Sequence, residues 1–168
     1  YEWTLKGKME LRQNGIKKDI SPWALTWDDE NYYMVAFDDL DQQIKHYRVD
    51  KMMRLSVEVE KRAGKDAFKN FDMAEYSKST FGMYQGKKTR VKIEFANYMC
   101  GVFIDRFGKD ITFRPIDDEH SELHVDVNVS RQFFGWIFSL GKDVKVTGPS
   151  EVVEEMKEAA KEFLSNLE

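Results

Sequence analysis

Along residues 16–60 apolar positions come in short runs, each broken after five or six residues by acids and amides. Apolar residues recurring every second position place one side of an extended chain on a core, so this spacing predicts strands at 23–27, 32–37, 44–49 and 54–59. Asp28-Asp29-Glu30-Asn31 and Asp38-Asp39-Leu40-Asp41 supply turn-forming side chains between them, which predicts antiparallel pairing of consecutive strands. Strands this short and this numerous point to a small barrel.

From residue 89 the period alternates between two and about 3.6 residues. Val91, Ile93 and Phe95 share one face of a strand, and the segments ITFRPI and ELHVDVNV alternate in the same way around the turn 117–121. Residues 97–107, 131–140 and 150–167 read as helices. In the last of these Val152, Met156, Ala159, Ala160, Phe163 and Leu167 form a stripe, and Ser150 precedes a first turn rich in Glu. The resulting order, βαββαβ with an added C-terminal helix, is that of a ferredoxin-like domain. The whole is therefore expected to be an α+β chain: a small barrel over 1–60, a linker with one short helix over 61–88, and a ferredoxin-like domain over 89–168. Asp72 is the expected cap of the linker helix and Gly82 its stop.

Composition narrows the classes. Twelve Phe, seven Tyr and four Trp in 168 residues are enough to build packed cores, which a disordered chain lacks. No apolar run is long enough to cross a bilayer and the N-terminus has no signal-peptide core, so a cytoplasmic protein is expected. The net charge of −4 gives no general attraction to a phosphate backbone, yet charge is uneven: residues 61–92 hold nine basic and three acidic groups, while both flanks are acidic.

Few motifs carry chemistry. The sequence lacks a Gly-rich phosphate loop, a GxSxG elbow and an HExxH helix, so no enzymatic activity and no cofactor are expected. His120 and His124 are four apart in a strand, roughly 13 Å, too far to share a metal. Cys100 lies in an apolar helix face and reads as a buried thiol. The carboxylates at 28–30 and 117–119 read as solvated turn acids. One segment stands out. In Ile44-Lys45-His46-Tyr47-Arg48-Val49-Asp50 a strand places Ile44, His46 and Arg48 on one face, with the two cationic side chains roughly 6.6 Å apart, a spacing that suits one anion. The alternative is a solvated face with Arg48 paired to a nearby acid.

The stretch ISPWALTWDDENYYMVAFD followed by IKHYRVDKMMRLSV resembles the WYL domain, with Tyr32-Tyr33-Met34 at the place of its signature tripeptide. TFGMYQG, DRFG and SRQFFGWIFSLGKDVKVTGP resemble the WCX extension that follows WYL domains in many bacterial transcriptional regulators. The resemblance implies an Sm- or SH3-like barrel, then a ferredoxin-like extension, in a chain that senses an effector. It implies a nucleotide or single-stranded nucleic acid as that effector, held by Ser21, Tyr33, His46, Arg48 and Arg54, with Arg131 joining if the extension closes over the pocket. It also implies a homodimer, and contact with duplex DNA only through an N-terminal helix-turn-helix outside this sequence. A dimerisation module with no small ligand is the competing expectation, and an accessory to a nuclease or nucleotide hydrolase a third.

Overall fold

The computed structural model describes residues 1–28, 30–81 and 86–167, without the side chains of Gln13 and Glu75. The chain divides into two compact units, Tyr1–Met73 and Ala74–Glu168.

In the first unit β1 (Glu2–Trp3) and β2 (Met9–Glu10) form a two-stranded ladder, closed by Thr4 to Gly7 and Lys8 hydrogen bonds. After a 3-10 turn at Arg12–Gly15, β3 (Ile20–Asp28), β4 (Asn31–Asp38) and β5 (Gln43–Arg48) make an antiparallel sheet in the order β3-β4-β5. Glu30, with φ of 61°, lies in the first expected turn, whose Asp29 falls outside the described residues. In the second, Asp38 Oδ1 accepts from the amides of Leu40 and Asp41, both at 3.1 Å, which stabilises the turn between β4 and β5.

The fourth expected strand, 54–59, is not one. A 3-10 turn at Val49–Lys51 and the left-handed backbone of Arg54, with φ of 55°, redirect the chain after β5. Leu55, Val57 and Val59 keep the alternation of a strand but reach no neighbouring edge, and the two valines are almost fully exposed. Among the described residues the first unit therefore closes no barrel: it has one open three-stranded sheet and one short ladder.

Residues 61–72, expected as linker, fold against the sheet. The Ala63 amide donates to Ser21 Oγ at 2.8 Å, and Trp23 Nε1 donates to the Ala63 carbonyl at 2.9 Å. Gly64 has φ of 77° and faces the Phe37 ring so closely that a Cβ would sit 2.3 Å from Phe37 Cγ. Only glycine fits both conditions.

The boundary between the units falls after the first residue of α1 (Met73–Ser79), the helix expected after Asp72; its expected stop, Gly82, lies outside the described residues. Then follow β6 (Lys87–Ala96), α2 (Cys100–Phe107), β7 (Phe113–Pro115), β8 (His120–Val129), α3 (Arg131–Ser139), β9 (Val144–Gly148) and α4 (Ser150–Ser165). The sheet is antiparallel with the order β7-β8-β6-β9, which is ferredoxin-like topology. Val91, Ile93 and Phe95 of β6 and Leu123, Val125 and Val127 of β8 turn one sheet face toward Phe103, Phe133, Phe134 and Ile137 of the helices. Each such side chain taken fully out of water contributes about 1.5–3 kcal/mol. Ser130 caps α3 by accepting from the Phe133 amide, and Gly108, with φ of 95°, ends α2. Cys100 is partly buried against this core.

Candidate functional site

Strand register decides which expected site residues can act together. Side chains directly opposite in a ladder lie on the same face. The pairs Tyr33↔Arg48, Val35↔His46 and Phe37↔Ile44 place Tyr33, His46 and Arg48 on one face of β4 and β5. On the other side of β4, Ser21↔Phe37 and Ala24↔Val35 bring Ser21 to that face, because a bulge at Trp23 inserts one extra residue between them. Without the bulge, Ser21 and Ala24 would point to opposite sides.

Arg48 sits at the open end of this face and is already engaged. Its Nε donates to Asp50 Oδ1 at 3.0 Å, and one terminal nitrogen donates to Asp50 Oδ2 at 2.8 Å and to Asn31 Oδ1 at 2.7 Å. The hydrogen bond to Asp50 raises the guanidinium above its ordinary pKa, and the same bond lowers that of Asp50. This is the ion-paired arrangement weighed above as the alternative to an anion site. A planar fork held by a carboxylate is also a fork preset for another planar or tetrahedral anion.

The remaining expected residues behave differently. Ser21 is buried, and its hydroxyl holds the Ala63 amide. Arg54 is exposed, outside any strand, and is not brought beside Arg48 by pairing to β5. Arg131 belongs to the second unit, where it donates to Glu162 Oε2 at 2.7 Å.

Two groupings escaped the sequence reading. On the opposite face of β4 and β5, Tyr47 Oη donates to Asp38 Oδ2 at 2.6 Å and Lys45 Nζ to the same oxygen at 3.0 Å, with Asp41 also on Lys45. The Tyr47 hydroxyl and Lys45 hold the Asp38 carboxyl below its ordinary pKa, while burial and the carboxylate push the Tyr47 phenol well above its own. The second grouping surrounds Trp23, which stacks on Phe68 with ring centroids 5.1 Å apart and has the Arg62 guanidinium 4.3 Å over its ring. Its only signal in the sequence was a basic segment containing one Phe pair.

His120 and His124 are not brought together. Asp117 binds the His120 ring and the amides of Glu119 and His120, and His124 Nε2 lies 3.5 Å from Glu122. Among the described residues no three His, Cys, Asp or Glu side chains gather to hold a metal, and no helix is long and apolar enough to cross a membrane.

Two family models match: the WYL domain over residues 11–57 and the WCX domain over residues 87–164. No curated protein matches the chain. Among solved structures it is similar to proteasome accessory factor B/C (PafBC) of Arthrobacter aurescens, with 16% identity and a TM-score of 0.39 over 94% of this chain. The chain spans 23% of that protein's length.

Proposed function

We propose, from the premise that this chain belongs to the WYL-domain family with a WCX extension, that it is the effector-sensing region of a transcriptional regulator. Its first unit would bind a nucleotide or single-stranded nucleic acid through a phosphate. The observation that supports this reading is the shared face of Tyr33, His46 and Arg48, with the guanidinium at its open end. Asp50 then acts as a placeholder. A phosphate group competes for the same fork, with His46 as a further donor and Tyr33 as a hydroxyl donor or stacking surface. Arg54, exposed and outside any strand, contributes through its charge. Binding biases the regulator only to the extent that the ligand prefers one arrangement of the chain.

Titration calorimetry with nucleotides and short single strands tests the site. Arg48→Ala should weaken binding about tenfold or more, and Arg48→Lys should restore part of it, because an ammonium keeps the charge and loses the fork. Asp50→Asn should strengthen binding several-fold by freeing the guanidinium. Equal affinity of wild type and Arg48→Ala for a phosphate ligand, with the fold unchanged, would remove the site.

A second reading has its own support. Phe163, Leu164 and Leu167, at the end of α4, are each more than half exposed, which suits association of two copies. A sizing measurement showing a dimer, in a chain that binds no nucleotide or single strand, favours that reading.

A further inference from the structure

The second unit has a cavity of its own, all of whose lining residues belong to it. The cavity originates in a strand pair that stops early. β7 pairs with β8 only from Ser121 to Leu123. Residues 110–112, which would carry the ladder on past Leu123, stand off from β8 and, with His124, Val125 and Asp126, line a cavity of about 380 Å³. Among the described residues no backbone hydrogen bond crosses this gap. In a strand the amide and carbonyl of successive residues point to alternate sides, so main-chain groups within 124–126 are left facing the cavity. Lys78 and Ser79 of α1 close another side.

Charge around the cavity is mixed. Lys78, Arg90 and Arg114 line it together with Asp110 and Asp126, three cations against two carboxylates. The registers Arg114↔Glu122 and Arg90↔Asp126 put Arg90, Arg114 and Asp126 on one face of the sheet. Arg90 and Asp126 are 4.0 Å apart, and among the described residues the side chains of Lys78, Arg114 and Asp110 have no hydrogen-bond or ion-pair partner. Lys78 is nonetheless held in place. Its ammonium lies against Gly108, where a Cβ would come within 2.8 Å of it, at the C-terminal end of α2, which favours a cation. Opposite charges that line one cavity without closing on each other leave room for a molecule that answers both signs.

We infer that this cavity binds a small aliphatic anion carrying its own hydrogen-bond donors, the chemistry shared by sugar phosphates and by amino or hydroxy dicarboxylic acids. A phosphate or carboxylate head sits against Lys78 and Arg114, and hydroxyl or ammonium groups donate to Asp110 and Asp126. The excess of cations makes the preferred ligand a net anion. Its volume lies toward the small end of ligand pockets, which span about 300–1,000 Å³. The lining offers no platform for a nucleobase: its one phenyl ring, Phe107, is buried and packs on Phe81 and Trp136. The regulator proposed above would then read two ligands, one in each unit.

Amide NMR spectra of the 168-residue chain, titrated in turn with glucose 6-phosphate, glutamate, malate, inorganic phosphate and adenosine monophosphate, test this. At least one of the first three should shift the amides of residues 110–114 and 124–126 and bind more tightly than about 1 mM. Which of them does so separates a sugar phosphate from a dicarboxylic acid. Inorganic phosphate, a head without a tail, should bind about tenfold more weakly or less. Arg114→Ala should weaken the preferred ligand about tenfold or more, and Asp110→Asn about threefold or more. Both side chains are exposed and unpaired, so amides away from the cavity should keep their positions. Lys142→Ala, which removes an exposed cation of the same unit outside the cavity, should leave affinity within about twofold. The inference is overturned if none of the first three binds, or if inorganic phosphate binds as tightly as the best of them. It is equally overturned if adenosine monophosphate shifts the same amides with equal affinity, or if Arg114→Ala leaves affinity unchanged. None of these outcomes touches the Arg48 face, which has its own titration.

Discussion

The two units bury apolar surface on different scales. Among the described residues the second unit places seventeen apolar side chains in one buried cluster, from Phe81 to Val152, whereas in the first only Val35, Ala36 and Phe37 are buried apolar side chains. The first unit also leaves Leu25, Trp27 and Tyr32 more than half exposed near the tip of its β3–β4 hairpin. It is held instead by specific links: the Asp38 turn, the Ser21 to Ala63 bond, and Gly64 on Phe37. A unit organised by a few directional contacts around an open sheet keeps polar side chains available on its surface. A unit organised by a continuous apolar layer does so only at its rim, because its inward positions are all committed to packing.

This contrast can be broken most severely in the second unit. Phe103→Ala removes a fully buried ring that packs on Phe95 and Trp136, and should cost about 3–5 kcal/mol of that unit's stability. Urea unfolding followed by hydrogen exchange should show the loss in peptides of the second unit and little change in residues 20–48.

In the first unit Gly64→Ala is the counterpart. The added methyl meets the Phe37 ring and the backbone is left-handed, so about 2–3 kcal/mol should be lost, read as faster exchange across β4 and residues 61–71. A loss below about 0.5 kcal/mol would show that the segment is not docked as described.

A smaller and pH-dependent effect belongs to the Asp38–Tyr47 bond. Because the Asp38 pKa is lowered in the folded state, its contribution is present above the ordinary carboxylate value of about 3.9 and is lost as pH falls through its own lower value. Because the Tyr47 pKa is raised, its contribution is present below the ordinary phenol value of about 10 and is lost as pH rises above that. Asp38→Asn should therefore lower the thermal midpoint of the first unit at neutral pH, by about 1–3 kcal/mol in stability, and flatten its acid limb. Tyr47→Phe should flatten the alkaline limb. An Asp38→Asn variant whose stability falls with acid as steeply as wild type would show that other carboxylates govern it.

The smallest effect is expected at Arg131. Its pair with Glu162 is exposed, and Arg131→Ala should change stability by less than about 1 kcal/mol. Binding at the Arg48 face in the same variant decides whether Arg131 is a ligand contact: a tenfold loss would establish it, and a change within about twofold would strike it from the site.

The second unit was largely legible before its structure. Its two longest strands, β6 and β8, alternate over ten residues each and its last helix has a continuous stripe, so period and length indicated the main elements and their order. Residues 54–59 carry the same kind of alternation and form no strand, because pairing depends on whether the chain reaches an edge, and the turn at 49–51 with the backbone of Arg54 takes it elsewhere. The 61–72 segment misled in the opposite direction. Its charges read as solvated linker, while Ala63, Gly64 and Phe68, spaced among them, dock it.

For the site, composition and spacing alone determined that His46 and Arg48 share a strand face, since side chains two apart in a strand must do so. That Ser21 and Tyr33 join them was decided by register and by one inserted residue at Trp23, which no local preference specifies. Whether Arg48 is free or paired was decided by tertiary structure as well. Asp50 is two residues away in sequence, but only the turn after β5 folds its carboxylate back onto the guanidinium, and only the β3–β4 hairpin brings Asn31 to the same nitrogen. A sequence fixes which groups are present and how far apart along the chain they lie. Hydrogen bonds and ion pairs form over about 3 Å in space, so their partners are settled only once the backbone has closed.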